Sequence, residues 1–130
     1  MKITVDPQHF EALELRVLEE VVESVIDVLE KAGVRDAALA EAAASISFSV
    51  AAIIDGSRVM ELDGEPVLPF LTFARGPDES ELVASRGGSG MHEYVHGIVE
   101  DMLGQNGLQA TIVDRGRGEV PPKSLGSGCF

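Results

Sequence analysis

The chain has 130 residues, of which 45% are hydrophobic and 25% charged, the size and make-up of one globular domain. Twenty-two acidic residues against ten lysines and arginines give a formal net charge of −12. A surface of that sign repels phosphate backbones and anionic lipid heads, which argues against nucleic-acid and membrane-surface functions. The charge is then explained by solubility or by attraction to a basic protein partner.

The number of cysteines and the length of the apolar stretches indicate the cellular compartment in which the protein is expected. The single cysteine, Cys129, has no partner for a disulfide within the chain, which is typical of a reducing compartment. No signal-peptide run follows Met1. The longest mainly apolar stretch, residues 42–54, contains three serines and is too short to span a bilayer. These features predict a cytoplasmic protein without a membrane segment.

Residues 8–32 predict one long helix, which ends at Gly33 as a C-terminal cap. Its apolar positions cover more than half of the circumference, and its acids crowd the remaining sector. A surface helix needs a narrower apolar face. We therefore expect the helix to contact the sheet on one side and a second helix or a partner subunit on the other. The wide face predicts a homodimer formed through this helix. The apolar positions are Leu13, Leu15, Val17, Leu18, Val21, Val22, Val25, Ile26, Val28 and Leu29.

Residues 36–54 have two interpretations. Asp36 is a suitable N-cap for a short alanine-rich helix that runs to Ala44. Residues 45–50 then alternate between serine and an apolar side chain, which is typical of a strand. A single helix over 36–54, which the alanines favour, is the alternative. We favour a strand over 45–54 because two turn signals follow it.

The turn signals are Asp55-Gly56 and Asp63-Gly64. Asp-Gly between apolar runs indicates a hairpin, because both turn positions need φ > 0. They predict an antiparallel meander of three to five strands, packed with the long helix and a second helix at 89–103. The fold class is therefore α+β, with a single domain over 1–114 and a Gly/Pro-rich tail over 115–130 that we expect to be extended or disordered. The predicted strands are 45–54, 57–62, 65–74, 82–84 and 108–113.

The second helix carries His92, Glu93 and His96 in the pattern H-E-x-x-H. Residues four apart lie on one face of an α-helix, so the two histidines are candidate ligands of one zinc ion. Glu93 is the candidate catalytic residue. It would act as the general base toward a zinc-bound water, whose pKa the metal lowers to about 7.

Over residues 89–98 the chain resembles the zincin metallopeptidases. Ser89 and Gly90, three and two positions before the first histidine, are small and uncharged, bulky Tyr94 follows the glutamate, and uncharged residues flank the second histidine. The resemblance implies zinc as a cofactor and a hydrolase in which His92 and His96 bind the metal and Glu93 is the base. A third ligand is unknown from the sequence. The residues that the fold would have to bring close are His9, Asp114, Glu119 and Cys129.

The same residues also have a non-catalytic interpretation. Glu93 would favour the positive end of the helix dipole, and His96 with Glu100 would form an exposed i,i+4 pair. The sequence therefore leaves two functions open. The first, which we favour, is a non-catalytic homodimeric interaction domain. The second is a small zinc-dependent hydrolase of zincin type.

Overall fold

The computed structural model describes residues 2–103. Two long helices follow the first strand, four short strands come next, and short helical turns end this part of the chain, so the α+β class and the long N-terminal helix are confirmed. The predicted strand at 108–113 and the tail at 115–130 lie outside the described residues. In chain order the elements are β1 (Lys2–Val5), α1 (Pro7–Lys31), α2 (Asp36–Ile54), β2 (Glu61–Leu62), β3 (Glu65–Pro66), β4 (Phe73–Arg75), β5 (Glu81–Ala84), a 3₁₀ helix (Met91–Tyr94) and α3 (Val95–Val99).

Helix α1 matches its predicted bounds to within one residue at each end. It starts where Asp6 accepts a hydrogen bond from the backbone N–H of His9 at 3.2 Å, and Pro7 occupies the first helical position. It stops before Gly33, whose φ of +92° ends the helix as predicted. The buried positions are spaced four apart, which turns one face to the core; they are Phe10, Glu14, Leu18 and Val22.

Helix α2 shows that the strand predicted over 45–54 is wrong. The segment continues the alanine-rich helix without a break as far as Ile54. Alanine has the highest helix propensity, and Ala43, Ser47 and Ala51 form one buried face at a spacing of four. The alternation of serine with apolar residues therefore occurs within a helix, in which serine lies on both the buried and the exposed face.

The ends of α2 also differ from the prediction. Arg35 is the N-cap residue, and no side chain within residues 2–103 is bonded to this helix start. Asp36, the predicted cap, is the first residue of the helix and has a φ of +56°. At the other end, Asp55-Gly56 closes the helix, with Gly56 at a φ of +80°, and makes no hairpin.

By length and composition, α2 is the one helix within residues 2–103 that could cross a membrane. Residues 42–54 alone are too short to span a bilayer, but they continue the helix that begins at Asp36. A single helix of this kind is weak evidence, since the core helix of a soluble domain has the same features. Leu39, Ala43 and Ser47 of α2 are buried within this domain.

The strands form two small sheets. The first has the order β1-β5-β4, with β1 parallel to β5 and β4 antiparallel to it. The second is the hairpin β2-β3 around Asp63-Gly64, where a hairpin was predicted. The main sheet is thus mixed, because β1, which was not predicted, pairs with a strand about 80 residues later. The predicted strand at 82–84 is present as β5, and the strands predicted at 57–62 and 65–74 shorten to β2, β3 and β4.

The core lies between α1, α2 and the segment that begins at Met91. The predicted helix at 89–103 is present only from Met91 onwards, first as a 3₁₀ turn, then as α3, and over 100–103 as a π turn. Its buried side chains recur four residues apart and pack against both long helices. The central members of the core are Leu18, Val22, Leu39, Ala43, Ala51, Met91, Val95, Val99 and Leu103.

Candidate functional site

The H-E-x-x-H segment lies across a change of helix type. His92 and Glu93 belong to the 3₁₀ helix, and the α-helix begins only at Val95. A 3₁₀ helix turns about 120° per residue, whereas an α-helix turns about 100°. His92 and His96 are therefore less well aligned than the i,i+4 pair of a continuous α-helix, which the sequence analysis assumed.

His92 is held by Asp55, a residue that the sequence analysis treated only as a turn. One carboxylate oxygen of Asp55, Oδ2, accepts the backbone N–H of His92 at 2.9 Å and lies 2.5 Å from the ring nitrogen Nδ1. The side chain of Asp55 is fully buried, whereas that of His92 is 25% exposed. The pair thus fastens the end of α2 to the start of the 3₁₀ helix.

The charge state of Asp55 follows from these contacts. Burial raises the pKa of this carboxyl group, but hydrogen bonds from the backbone and ring of His92 and from Ser57 outweigh it and leave the pKa below its ordinary value. Asp55 is therefore ionised near neutral pH. Because an ionised carboxylate can only accept, Nδ1 of His92 carries the proton in this bond. In the neutral imidazole, Nε2 then keeps its lone pair.

Ser57 completes the contacts of this ring, but the three residues do not form a hydrolytic triad. The hydroxyl oxygen of Ser57 lies 3.0 Å from Nδ1 of His92, the same nitrogen that contacts Asp55. In a Ser-His-Asp triad the acid and the serine contact opposite ring nitrogens, so that the base can pass a proton between them. The backbone N–H of Ser57 also donates to Oδ1 of Asp55 at 3.0 Å. The arrangement is suited to holding the loop after α2.

The other two motif residues are exposed. The ring centroid of His96 lies 6.1 Å from that of Phe48 on α2, and the ring of His92 meets the same phenylalanine edge-on at 5.4 Å. Both histidines therefore lie beside one aromatic side chain. Glu93 folds back toward Gly90, where a Cβ atom would stand 3.5 Å from its carboxylate oxygen.

A second buried carboxylate, Glu14, lies next to the loop that leads into the 3₁₀ helix. Its Oε2 accepts the hydroxyl of Ser89 at 2.6 Å. Burial raises the pKa of Glu14, and the nearby acids Glu11 and Asp55 add to the rise against the opposing hydrogen bonds from Ser89 and Gly90. Glu14 was not predicted, because its spacing on α1 is that of a core position.

Tyr94, the bulky residue of the motif, donates its hydroxyl to Glu11 at 2.7 Å. This bond, together with partial burial, raises the pKa of Tyr94 to about 12. The phenol therefore stays protonated, and the contact ties the 3₁₀ helix to the first turns of α1.

The donor set for a metal ion is incomplete in the described part of the chain. Among residues 2–103, no group of three or more histidine, cysteine, aspartate or glutamate side chains is placed to hold an ion. His9, one of the residues considered as a third ligand, is exposed at the start of α1. Asp114, Glu119 and Cys129 lie outside the described residues. His92 and His96 alone do not provide the three protein ligands of a catalytic zinc site.

Comparison with models of protein families, with curated proteins and with solved structures finds no match to this chain.

Proposed function

We propose that this protein is a non-catalytic interaction domain that forms a homodimer. The observation that supports it is the exposure of large apolar side chains on several elements. Val28 of α1 is 65% exposed, Ile46 of α2 42%, and Val59, which follows α2, 90%. Large apolar side chains in contact with water favour association when a partner can cover them.

The polar residues around His92 are consistent with this proposal. Asp55 has its acceptors occupied by His92 and Ser57, and Glu14 is bonded to Ser89. These bonds tie the end of α2 to the 3₁₀ helix, and α1 to the loop that leads into that helix. A structural role of this kind accounts for the buried carboxylates without a substrate.

The partner is expected to be a second copy of the chain. The wide apolar face predicted for the 8–32 helix favours a contact through this helix, and Val28 is its strongly exposed large apolar residue. Much of its wide apolar face packs on the core that α2 helps to form; these residues are Val17, Val21, Val25, Ile26 and Leu29. The net charge of −12 favours a basic protein as any further partner, and disfavours nucleic acid and anionic membranes. We expect a cytoplasmic location, because a lone cysteine provides no disulfide framework.

Light scattering tests this proposal. The mass should rise with concentration from that of one chain, 13.8 kDa, toward twice that value. The chain mass alone at all concentrations up to about 1 mM, a range that detects even weak association, would refute the homodimer.

A zinc-dependent hydrolase of zincin type is the second candidate, and one observation favours it. Histidines that bind zinc usually donate their other ring N–H to a carboxylate, and Nδ1 of His92 contacts Asp55 in this way. Nε2 would then be the atom that binds the metal. His96 would be the second ligand and Glu93 the base.

Metal analysis of protein purified without a histidine tag tests this candidate. It predicts about one zinc per chain, loss of that zinc in both His92→Ala and His96→Ala, and retention in Glu93→Gln, since glutamate is not a ligand in the motif. Activity against a peptide library should be absent in Glu93→Gln, because an amide does not accept the proton from the bound water. Protein that contains no zinc after dialysis against a zinc buffer would exclude the hydrolase.

A further inference from the structure

One face of α2 is exposed and carries no charged side chain. Its positions follow one another at helical spacing and lie opposite the buried face. Ile46 is 42% and Ile53 39% exposed, so two branched apolar side chains reach solvent among small residues. The face, called here the neutral face, consists of Ala38, Ala42, Ser45, Ile46, Ser49 and Ile53.

The neutral face is unusual on this chain. Lysine, arginine, aspartate and glutamate make up 25% of the sequence, yet none occurs from Ala42 to Ile54. By contrast, the exposed side of α1 carries a row of acids, among them Glu19, Glu23 and Glu30. The hairpin β2-β3 also exposes apolar residues, but Glu61, Asp63 and Glu65 lie among them.

We propose that the neutral face is the surface through which a second copy of the chain binds, with α2 of one protomer packed against α2 of its partner. This inference rests on the homodimer proposed above and adds the location of the contact. In a two-fold contact each surface meets its own copy, so acids near the axis oppose acids. Like charges placed opposite one another weaken such a contact. The neutral face avoids that repulsion, and the acidic surfaces of α1 and the hairpin do not.

The absence of charged residues on the neutral face also favours a second copy of the chain over a basic protein as the partner. A basic protein would gain no ion pairs on the neutral face and would bind better to the acids of α1 or the hairpin. A second copy needs only a surface that is complementary to itself. The side chains of Ala38, Ala42, Ser45 and Ser49 are small enough for two helices to approach closely. Ile46 and Ile53 then supply the apolar area on either side.

The area of the neutral face determines how strong the proposed dimer is expected to be. A helix of 19 residues is about 28 Å long and about 10 Å wide, which gives roughly 300 Å² per protomer. Stable interfaces bury about 800 Å² per partner. The dimer should therefore be weak and should dissociate on dilution.

Charge placed on the neutral face tests the inference. Ile46→Glu combined with Ile53→Glu should give a monomer at concentrations where the natural chain is dimeric, as measured by sedimentation equilibrium. The matched control is Ile3→Glu combined with Leu68→Glu, which adds the same two charges at exposed apolar residues outside α1 and α2 and should leave the dimer intact. Circular dichroism of each variant checks that the helices are retained.

The alternative outcomes separate this inference from the proposed function. If Val28→Glu dissociates the dimer and the α2 variant does not, the homodimer stands but its contact is on α1, and the inference is wrong. A natural chain that is monomeric throughout refutes the homodimer itself. Binding of the natural chain to phosphatidylcholine vesicles, lost in the α2 variant, would assign the neutral face to a lipid surface and also refute the inference.

A crosslinking experiment does not depend on how well the charged variant folds. In a chain with Cys129→Ser, Ser49→Cys on the neutral face should form a disulfide between protomers on mild oxidation. Ser24→Cys, at an exposed position of α1, should form far less of this disulfide. Equal or greater crosslinking through position 24 would overturn the inference.

Discussion

At the scale of single residues, Asp55 is the polar group on which most of the local arrangement depends. Its two carboxylate oxygens accept from the backbone and ring of His92 and from the backbone of Ser57. The three residues come from the end of α2, the following loop and the 3₁₀ helix. One buried carboxylate thus fixes how these segments meet.

Replacement of Asp55 should be costly. Asp55→Ala leaves the N–H groups of His92 and Ser57 without their acceptor, and hydrogen bonds to charged groups contribute about 1.5–3 kcal/mol each. We expect a loss of about 2–4 kcal/mol in urea unfolding, and a smaller loss for Asp55→Asn, which keeps one acceptor. Asp27→Ala, which removes an exposed pair with Lys31, should cost less than about 0.5 kcal/mol. Similar losses for the aspartates at 27 and 55 would contradict this role.

Glu81 makes the stability depend on pH. Its carboxylate accepts two hydrogen bonds from Arg75, at 3.1 and 2.9 Å, and one from Thr4. These bonds lower its pKa from 4.5 to about 2. Because the folded-state value is the lower one, the contribution of ionised Glu81 is complete above pH 4.5 and is lost as the pH falls toward 2.

Urea midpoints measured between pH 5 and pH 2 test this assignment. The natural chain should lose stability across this window, and Glu81→Gln, which has no charge to lose, should lose distinctly less. Parallel pH profiles for the two proteins would show that Glu81 makes no special contribution.

Of the residues around His92, only the motif could be recognised in the sequence. His92, Glu93 and His96 stand together in the chain, so their pattern is visible. Asp55 precedes His92 by 37 residues and Glu14 precedes Ser89 by 75, and no local pattern links residues so far apart. The Asp55-Gly56 pair indicated a turn in the sequence, but it gave no information about the role of the Asp55 carboxylate.

At the scale of the elements, the two long helices differ in how well the spacing of their apolar residues predicts them. Helix α1 repeats its apolar positions over about seven turns between sharp end signals, so its bounds were predicted closely. Helix α2 is rich in small residues, and serine at every second position imitates a strand. Strand β1 is only four residues long and pairs with β5 far along the chain, which leaves no local signal to detect.

The loop after β3 is held against the rest of the domain at Gly56. A Cβ atom at Gly56 would stand 3.0 Å from the backbone oxygen of Pro69, and the φ of this glycine is +80°. Gly64 has nearly the same φ, +81°, but no described atom lies within 4 Å of its Cβ position. Alanine at either position has the same backbone strain, but only at Gly56 does it also meet a neighbour.

The two glycine variants therefore form a matched pair. Gly64→Ala should cost about 1–2 kcal/mol, the strain of alanine in the left-handed region. Gly56→Ala should cost more by roughly a further 1–3 kcal/mol, because the backbone at Pro69 has to move. The measurement is the free energy of unfolding in urea. Equal losses would mean that the approach of Pro69 to Gly56 is not a tight contact.

Ser47 is a polar residue in the buried face of α2. Its hydroxyl is inaccessible and has no hydrogen-bond partner among the described residues. Leaving such a group unsatisfied costs about 1–3 kcal/mol. Ser47→Ala should therefore stabilise the protein by clearly more than Ser24→Ala, which changes only the helix propensity of an exposed position, by about 0.5 kcal/mol. Thermal unfolding that shows Ser47→Ala to be destabilised would indicate that the hydroxyl has a partner.

At the scale of the whole molecule, the proposed association depends on the apolar surface that the domain leaves exposed. The domain encloses a core between α1, α2 and the segment from Met91 onwards, yet it leaves apolar residues exposed on α2 and on the hairpin. From the sequence, the surplus apolar surface was expected on α1, but much of that face packs against the core. The sequence did not locate the neutral face, because α2 was taken to be half strand and the pattern of its exposed side was hidden.

Sedimentation equilibrium over about 10 µM to 1 mM, a range suited to weak complexes, tests the homodimer most directly. Our account predicts that one monomer–dimer equilibrium fits all concentrations, with the mass rising from 13.8 kDa toward twice that value. It also predicts tighter association as salt is raised, because salt screens the repulsion between two chains of net charge −12. A constant mass of 13.8 kDa at every concentration and salt level would contradict it.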